Sequence, residues 1–337
     1  MNAKVGTIEI CEVGPRDGLQ SEPRLWSVEE RIELIDRLSA TGVSRIEAVS
    51  FVNPKRVPQM GDAEAVMAGI TRNNAVTYAG LALNARGADR AVDAGVDELR
   101  YVVVASETFN QKNQGTTIET TLADYKIIAN RVREAGIKLS CTIGASFGCP
   151  FEGEVAAEGV INIANQLVDG GALEIGLADT IGAAVPTQVS NLITKVRVAV
   201  GSGIGLGCHL HNTRNTGFAN AAAAATSGID FLDASIGGIG GCPFAPQATG
   251  NIATEDLCFM LRNMGFATGV DIEKLIAVSH WTEQFFDNPL PGQVMKAGLF
   301  PEVVNLKARP ALNGPPIATR LRTFSQSSGY FRLLWIC

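Results

Sequence analysis

Eight short runs rich in β-branched and apolar residues recur along this chain of 337 residues, with helical patterns in the intervals between them. The runs begin roughly 20 to 40 residues apart, the length of a strand and one crossover helix, so their connections should be parallel and right-handed. Eight such alternations predict a closed (β/α)8 barrel, a TIM barrel of the α/β class, with a doubly wound open sheet as the alternative. The predicted strands cover residues 7–13, 45–51, 76–83, 98–105, 138–144, 173–178, 204–211 and 231–236.

The intervals carry helix signals of their own. Ser27 and Glu30 have the spacing of a capping box, in which each side chain accepts a hydrogen bond from the other residue's backbone N–H. The helix that follows should bury one apolar stripe and end before Gly42, which we expect in the left-handed conformation. The stripe comprises Val28, Ile32, Ile35 and Leu38. Further helices are predicted over residues 62–71, 85–94, 120–135, 155–168, 186–200, 215–226, 255–264 and 271–286.

The composition excludes several classes of protein. With 28 Lys and Arg against 34 Asp and Glu, the net charge is −6, which argues against a basic nucleic-acid-binding protein. Hydrophobic residues make up 46% of the chain, too many for a disordered polymer. The seven cysteines form no Cys-x-x-Cys pair, no leader is evident, and no apolar run approaches the ~20 residues that span a bilayer. We therefore expect a soluble cytoplasmic protein that binds neither nucleic acid nor membrane.

Residues 1–300 hold the whole alternating pattern and are predicted to form a single catalytic domain. The segment 301–337 departs from the pattern, because it contains four prolines and several arginines and ends in Leu-Leu-Trp-Ile-Cys. We expect a short irregular tail there, which is a docked extension, a disordered segment or an addition foreign to the native protein. No chemistry is assigned to it.

Polar residues at the carboxyl ends of the strands are the catalytic candidates in a barrel of this kind. The first predicted strand runs into Arg16, Asp17 and Gly18, which would place an anionic ligand atom beside a fixed positive charge. An exposed surface ion pair is the alternative. The second strand carries Glu47 among apolar neighbours. Since an unpaired buried carboxylate is costly, Glu47 should point into the mouth and hold Arg16 or a metal-bound water, the alternative being an outward, solvated side chain.

Two histidines close the seventh predicted strand. His209 and His211 are two of only three histidines in the chain. Residues i and i+2 of a strand share a face, so the two imidazoles can bind one divalent cation through nitrogen lone pairs. Two satisfied core histidines are the alternative. With an Asp oxygen, such donors suit Mg, Mn, Co or Zn about equally.

A glycine-rich loop follows the eighth strand. Its glycines flank Cys242 on both sides, which indicates a mobile loop that carries an exposed thiol over the mouth. Cys141 and Cys208, by contrast, lie in predicted strands and should be buried. Asn251 could supply an amide oxygen to the metal, and Glu255 follows one turn later.

Taken together, these residues closely resemble the 3-hydroxy-3-methylglutaryl-CoA (HMG-CoA) lyase family, metal-dependent TIM-barrel enzymes that break carbon–carbon bonds next to acyl thioesters. The resemblance spans roughly residues 8 to 290. It is carried by VGPRDGLQ (13–20), SFVNPKRVPQMGD (50–62), GCPFEG (148–153), ADTIG (178–182) and the glycine-rich loop through residue 256.

This resemblance implies a divalent cation, Mg or Mn, an acyl-CoA thioester substrate and a homo-oligomer, either a dimer or a tetramer. It also implies the family's setting in leucine degradation and ketone-body formation. The implied metal ligands are Asp17, His209, His211 and Asn251. The implied catalytic residues are Arg16, Glu47, Asp179, His211, Cys242 and Glu255, of which Asp179 is added by the resemblance alone.

The implied reaction is a retro-Claisen cleavage of an HMG-CoA-type thioester to acetyl-CoA and a β-keto acid, acetoacetate in the parent reaction. The cation would acidify the substrate's hydroxyl, and Arg16 would stabilise the enolate oxygen that develops on the thioester. The base would be His211 or a water held by a carboxylate, with Asp179 orienting it. Cys242 would protonate the acetyl-CoA carbanion after the loop closes.

One place departs from the family's pattern. Typical members have His-x-His-Asp-Thr-Tyr, whereas this chain has Asn212 and Arg214 at the fourth and sixth positions. The lost carboxylate and the added guanidinium lead us to expect a substrate with a larger or more polar branch at C3. A Claisen-type condensing synthase is the alternative enzyme, against which Cys242 argues. A non-catalytic barrel would lack at least one of the metal-ligand residues, and all four are present.

Overall fold

The structure, a computed structural model, describes residues 5–242 and 245–300, with side chains over 6–241 and 250–300. The tail 301–337 lies outside the described residues, so the expected division between residues 1–300 and this tail stays a prediction. Within the described ranges, no helix has the length and apolarity that a membrane crossing requires.

Twelve strands lie in the described residues, and eight of them form the centre of the fold. The strands are β1 (Val5–Thr7), β2 (Glu9–Glu12), β3 (Arg45–Ser50), β4 (Thr77–Leu81), β5 (Glu98–Val104), β6 (Lys138–Gly144), β7 (Glu174–Asp179), β8 (Gly205–Leu210), β9 (Phe231–Ala234), β10 (Gly241–Cys242), β11 (Ala245–Thr249) and β12 (Phe266–Ala267). Strands β2 to β9 pair in parallel in chain order, and β9 pairs back with β2. This closed barrel confirms the predicted (β/α)8 fold and excludes the doubly wound sheet.

Helices connect the barrel strands and cover their outer surface. They are α1 (Val28–Ser39), α2 (Ala63–Gly69), α3 (Ala85–Asp93), α4 (Glu107–Gln114), α5 (Ile118–Glu134), α6 (Ala157–Asp169), α7 (Pro186–Val200), α8 (Gly217–Thr226), α9 (Thr254–Asn263), α10 (Ile272–Glu283) and α11 (Val294–Ala297). The helices α4 and α11 were not predicted. Helix α4 has no apolar stripe to reveal it. Its N-cap is Ser106, whose side chain accepts the N–H of Phe109 at 3.3 Å.

The start of α1 forms as its sequence predicts. The hydroxyl of Ser27 accepts the N–H of Glu30 at 3.2 Å, and the Glu30 carboxylate accepts the N–H of Ser27 at 2.9 Å. The helix ends at Ser39, and Gly42 follows with φ of +89°, in the expected left-handed region. The buried stripe is rotated from the predicted one: Ile35 and Leu38 are buried, but Val28 and Ile32 are only partly so.

The amino-terminal end of the barrel is closed by charged residues. Arg45, at the start of β3, is buried and contacts three carboxylates that begin other strands, those of Glu9, Glu98 and Glu174. Its Nη1 lies 2.5 Å from Glu174 Oε2, and Lys138 Nζ lies 2.6 Å from the other oxygen of the same carboxylate. Because this end is filled, the space for a substrate lies at the carboxyl end of the strands.

Candidate active site and metal centre

A cavity of about 500 Å³ opens at the carboxyl ends of the barrel strands. Val104 and Gly144, the last residues of β5 and β6, form part of its wall. Five of the predicted site residues line it, together with several charged residues that were not predicted, of which two contact the predicted ones. The seven are Arg16, Asp17, Glu47, His209 and His211, and then Arg100 and Asp233.

Three potential ligands of one cation meet at this cavity. Asp17 lies in a single π-helical turn, Gly14–Gly18, that follows β2, while His209 lies in β8 and His211 directly after it. The side-chain donor atoms of the three all lie within 4.8 Å of one another. His209 Nε2 lies 3.0 Å from His211 Nε2 and 3.8 Å from Asp17 Oδ2. Two imidazole nitrogens and a carboxylate oxygen that converge in this way form a donor set for a divalent cation.

The protonation states of two of these residues suit a metal ligand. Burial raises the pKa of Asp17, but the charges of Arg16 and of the two histidines outweigh it and hold that pKa well below its usual range. Burial, helped by the neighbouring His209, lowers the pKa of His211 to about 3. At neutral pH Asp17 is therefore ionised and His211 neutral, which are the forms that bind metals.

Asn251 reaches the same cluster from the loop after β9. Its backbone forms an antiparallel bridge with His211, and its side-chain nitrogen donates to Asp17 Oδ2 at 2.9 Å and to the carbonyl of Ile239 at 3.2 Å. The structure thus brings Asn251 to Asp17 as predicted, but with the amide nitrogen facing it. Metal binding through the amide oxygen requires the amide group to turn over.

Arg16 is held from two sides by carboxylates. Its Nη1 lies 2.6 Å from Asp17 Oδ1, while Nη2 lies 2.6 Å and Nε 2.8 Å from Glu47 Oε2. Glu47 is buried and lines the cavity, so it does not point outward to solvent. The expectation that it points into the mouth and holds Arg16 is met by these contacts. The result is a guanidinium fixed beside the proposed cation site.

Arg100 and Asp233 are site residues that were not predicted from the sequence. Asp233 lies beside His209 in the register of β8 and β9, and its Oδ2 is 3.2 Å from His209 Nδ1. Arg100, on β5, donates from Nη2 to both oxygens of Asp233 at 3.1 Å. Both are charged residues in strands that are mostly apolar, the same signal that drew attention to Glu47.

Asp179 is the last residue of β7, yet it is not among the residues that line the cavity. Its carboxylate accepts the backbone N–H groups of Ala183 at 2.9 Å and Ala184 at 3.0 Å. These bonds fix the turn that follows the strand. The carboxylate that is hydrogen-bonded to a histidine of the cluster is that of Asp233, which contacts His209 Nδ1, and the expected role of Asp179 in orienting the base stays a prediction.

Glu255 also lies away from the cavity lining. It is fully buried at the start of α9, and its Oε2 accepts the N–H of Gly237 at 3.0 Å. A Cβ at Gly292 would collide with the other carboxylate oxygen, so a larger residue at this position would require the Glu255 side chain to move. Burial raises the pKa of Glu255 to about 8. These contacts describe a residue that supports the glycine-rich loop from below.

The glycine-rich loop reaches the cavity at Gly241. Its first part is a single 3₁₀ turn, Ile236–Gly238, with Gly237 at φ of +62°. The short hairpin of β10 and β11 follows, and Gly241 lines the cavity. The backbone that carries Cys242 therefore starts at the rim, while the side chain of Cys242 lies outside the described part of the structure.

Asn212 and Arg214, the two departures from the family's pattern, do not line the cavity. Arg214 is exposed and donates to the carbonyls of Ile181 at 2.7 Å and Gly182 at 3.1 Å. Asn212 accepts the N–H of Gly217 at 3.1 Å, near the start of α8. Both face a separate depression next to α9. The expectation that they shape the substrate's branch stays a prediction.

Known proteins agree with this architecture. The HMGL-like family model matches residues 7–281. An (R)-citramalyl-CoA lyase of Chloroflexus aurantiacus is 45% identical over 310 residues, which cover 89% of this chain and 98% of that protein. The hydroxymethylglutaryl-CoA lyase YngG of Bacillus subtilis is 41% identical over 286 residues, which cover 85% of this chain and 95% of that protein.

Solved structures give the same result. The structure of an HMG-CoA lyase from Acinetobacter baumannii in complex with coenzyme A and 3-methylmalate matches with a TM-score of 0.84 and 39% identity, over 92% of this chain and 99% of that one. The B. subtilis HMG-CoA lyase matches with a TM-score of 0.84 and 40% identity, over 86% of this chain and 97% of that one. The chain belongs to the HMGL-like family and is a carbon–carbon lyase.

Proposed function

We propose that this lyase cleaves a 3-hydroxy-3-methyl acyl-CoA thioester that ends in a carboxylate, in a retro-Claisen reaction that requires a divalent cation. The products are acetyl-CoA and an oxo acid, which is acetoacetate when the substrate is HMG-CoA. The observation that carries the proposal is the convergence of Asp17, His209 and His211 beside Arg16 in one cavity. The solved relative that contains coenzyme A supports an acyl-CoA substrate.

The cation would be held by Asp17, His209 and His211, with Asn251 as a fourth ligand once its amide oxygen faces the site. We propose Mg or Mn, because a carboxylate and an amide oxygen are ligands that these hard cations accept. When bound, a divalent cation supplies Lewis acidity toward the hydroxyl and carboxylate oxygens of the substrate.

Arg16 would stabilise the enolate oxygen that develops on the thioester carbonyl. Its two carboxylate partners hold the guanidinium in place before the substrate binds, so little reorganisation is required when charge develops. Glu47 contributes by fixing two of the three guanidinium nitrogens.

The hydroxyl proton needs an acceptor, for which there were two candidates. His211 is a weak base, because its pKa is lowered to about 3. Glu47 Oε1 is buried and has no hydrogen-bond partner among the described residues, so it can hold a water in the cavity. We therefore favour a water held by Glu47. Cys242 would then protonate the acetyl-CoA carbanion, as an ordinary thiol that is mostly protonated at neutral pH.

Two substrates deserve comparison. HMG-CoA carries its terminal carboxylate one CH2 further from C3 than citramalyl-CoA does, so cleavage would give acetoacetate from the first and pyruvate from the second. Citramalyl-CoA is favoured by the 45% identity to a citramalyl-CoA lyase, against 41% to the B. subtilis HMG-CoA lyase. A larger C3 branch is the less favoured candidate, since Arg214 and Asn212 are not among the residues that line the cavity. The lyase names of the relatives also argue against a condensing synthase.

Incubation of the full chain with HMG-CoA, citramalyl-CoA and a 3-ethyl analogue of HMG-CoA, with product identification by mass, tests the proposal. A difference of one methylene changes kcat/KM by roughly 10- to 200-fold, so the panel separates the candidates. We expect acetyl-CoA from one or both methyl compounds, with a clear preference between them. Failure to cleave either methyl compound in the presence of Mn²⁺ would refute the proposed function, and a preference for the ethyl analogue would restore the larger branch.

We also propose that the protein is a cytoplasmic homo-oligomer, a dimer or a tetramer. Light scattering of the purified full chain measures its mass directly. A single species at the 35.5 kDa of one chain would contradict the oligomer.

A further inference from the structure

Six charged or chargeable side chains form a closed ring around the cavity floor, which we call the charge ring. Its members are Asp17, Arg16, Glu47, Arg100, Asp233 and His209, each in contact with the next. The longest links are 3.7 Å, from Glu47 Oε2 to Arg100 Nη1, and 3.8 Å, from His209 Nε2 back to Asp17 Oδ2. Acidic and basic groups alternate around it. The ring thus connects the proposed cation site with the proposed enolate-stabilising arginine.

Arg100 and Asp233 are the two members of the ring to which the proposed mechanism assigns no role. Both are almost fully buried, at 3% and 4% exposure. Burying two charges is costly, and an apolar pair of similar volume would fill the same space without that cost. Their contacts explain why these charges are there. Asp233 is hydrogen-bonded to His209, one of the proposed metal ligands. Arg100 lies near Glu47, which in turn holds Arg16.

We propose that Arg100 and Asp233 are a positioning pair that fixes the imidazole of His209 for the cation and, through Glu47, the guanidinium of Arg16 for the substrate. The inference rests on the proposed function, because it presupposes that His209 binds the metal and that Arg16 serves the reaction.

The first half of the argument concerns the tautomer of His209. Asp233 is paired with Arg100 through both oxygens, so its carboxylate is ionised and can only accept hydrogen bonds. His209 must therefore donate from Nδ1, at 3.2 Å, which leaves the lone pair for binding on Nε2. Nε2 is the atom that faces His211 and Asp17. A carboxylate behind a ligating histidine also raises the basicity of that ligand.

The second half concerns the link to Arg16. The Nη1 group of Arg100 lies 3.7 Å from Glu47 Oε2, the same oxygen that accepts from Arg16. The positive charge of Arg100 therefore lies close to two carboxylates. One is Asp233, which holds His209, and the other is Glu47, which holds Arg16. The planar fork of an arginine suits this bridge, whereas the ammonium of a lysine makes a single point contact.

Three substitutions in the full chain test the proposal: Asp233→Asn, Arg100→Lys and Glu47→Gln. The binding of Mn²⁺ is measured by calorimetry without substrate, and kcat and KM are measured with saturating Mn²⁺. Arg45→Lys is the matched control, because Arg45 is also a buried arginine among carboxylates but lies at the closed end of the barrel. Thermal unfolding in a chelator reports whether each variant folds.

We expect Asp233→Asn to weaken Mn²⁺ binding by ~10- to 100-fold and to recover most of its kcat at high Mn²⁺. Glu47→Gln should retain Mn²⁺ affinity and lose kcat by at least ~10-fold. Arg100→Lys should lower both the Mn²⁺ affinity and kcat, whereas Arg45→Lys should change neither. If Asp233→Asn does not fold, the Arg100→Lys result decides.

Mn²⁺ affinity that is unchanged in Asp233→Asn, or an Arg100→Lys protein with wild-type affinity and kcat, would overturn the positioning pair while leaving the proposed function in place. A wild-type chain that binds no Mn²⁺ would overturn both.

Discussion

At the scale of single residues, the site depends on charged side chains that hold one another in place. Arg16 has carboxylates on two sides, and His209 has a carboxylate behind it and another in front. Each contact removes freedom that would otherwise be lost when the substrate binds. Two single-residue changes give predictions at this scale, one within this arrangement at Arg16 and one beneath the glycine-rich loop at Glu255.

Replacement of Arg16 by methionine keeps much of the side-chain length and removes the charge. If Arg16 stabilises the enolate, kcat should fall by ~10² to 10⁴, as for other fixed groups that stabilise developing anions. Steady-state kinetics at saturating cation measure it. A change confined to KM would mean that Arg16 binds the substrate without acting on the reaction.

The raised pKa of Glu255 predicts how the free energy of unfolding changes with pH. Its pKa rises from an ordinary value of 4.5 to about 8 because the carboxyl group is buried. Between these values the folded chain keeps a proton that the unfolded chain has lost, so this group makes the protein less stable as the pH rises, by up to about 1.4 kcal/mol per pH unit. Glu255→Gln removes the effect. Urea unfolding at pH 6 and pH 8 should show the variant gaining roughly 2 kcal/mol relative to wild type, whereas a constant difference would disprove the assignment.

The residues that could be predicted were those whose chemistry conflicts with their neighbours in the sequence. Glu47 in an apolar strand and the His209–His211 pair identified themselves in this way, and the structure brings them to one cavity. Asp233 carries the same conflict, but its partner Arg100 lies 133 positions away, and nothing local announces such a pairing. Asp179 and Glu255 do not line the cavity, and backbone N–H groups bind both oxygens of Asp179 and Oε2 of Glu255; their predicted catalytic roles stay predictions.

At the scale of secondary structure, periodicity predicted the strands and most helices, since a buried face leaves a regular trace in the sequence. Helix α4 leaves none: of its buried residues, Phe109 and Asn110, only one is apolar. The hairpin of β10 and β11 was expected only as a mobile loop, because glycine-rich segments carry little strand propensity.

The loop that contains this hairpin yields a prediction about Cys242. If its thiol is the proton donor, Cys242→Ala should leave folding and cation binding intact and reduce turnover by ~10² to 10⁴. Cys141 and Cys208 are buried, and burial raises the pKa of both thiols, so alkylating reagents should modify Cys242 first. Mass spectrometry of the partly alkylated native chain identifies the site. Wild-type turnover in the alanine variant, or equal modification of all three thiols, would remove Cys242 from the mechanism.

At the scale of the whole molecule, the eightfold alternation was enough to predict closure, because each helix must cover the sheet between consecutive parallel strands. The cluster that fills the closed end was not predicted. It joins the first residues of β2, β3, β5 and β7, and their approach follows only from the closed barrel.

That cluster should support stability and not chemistry. Arg45→Met leaves the buried carboxylate of Glu98 and its neighbours without their main cation, a loss that typically costs about 3 to 5 kcal/mol. We expect a lower midpoint in urea unfolding and an unchanged affinity for Mn²⁺. An unfolding midpoint equal to that of the wild type would show that the remaining Lys138 compensates.

The barrel as a whole is proposed to serve one reaction that depends on a cation at Asp17, His209 and His211. The direct measurement is acetyl-CoA release, identified by mass, from the metal-stripped full chain with and without added Mn²⁺ or Mg²⁺, beside His209→Ala as the ligand variant. We expect no release in chelator, recovery when the cation is returned, and at least ~10-fold more cation needed by His209→Ala. Release at the full wild-type rate from the chelator-treated chain would contradict the proposed metal-dependent cleavage.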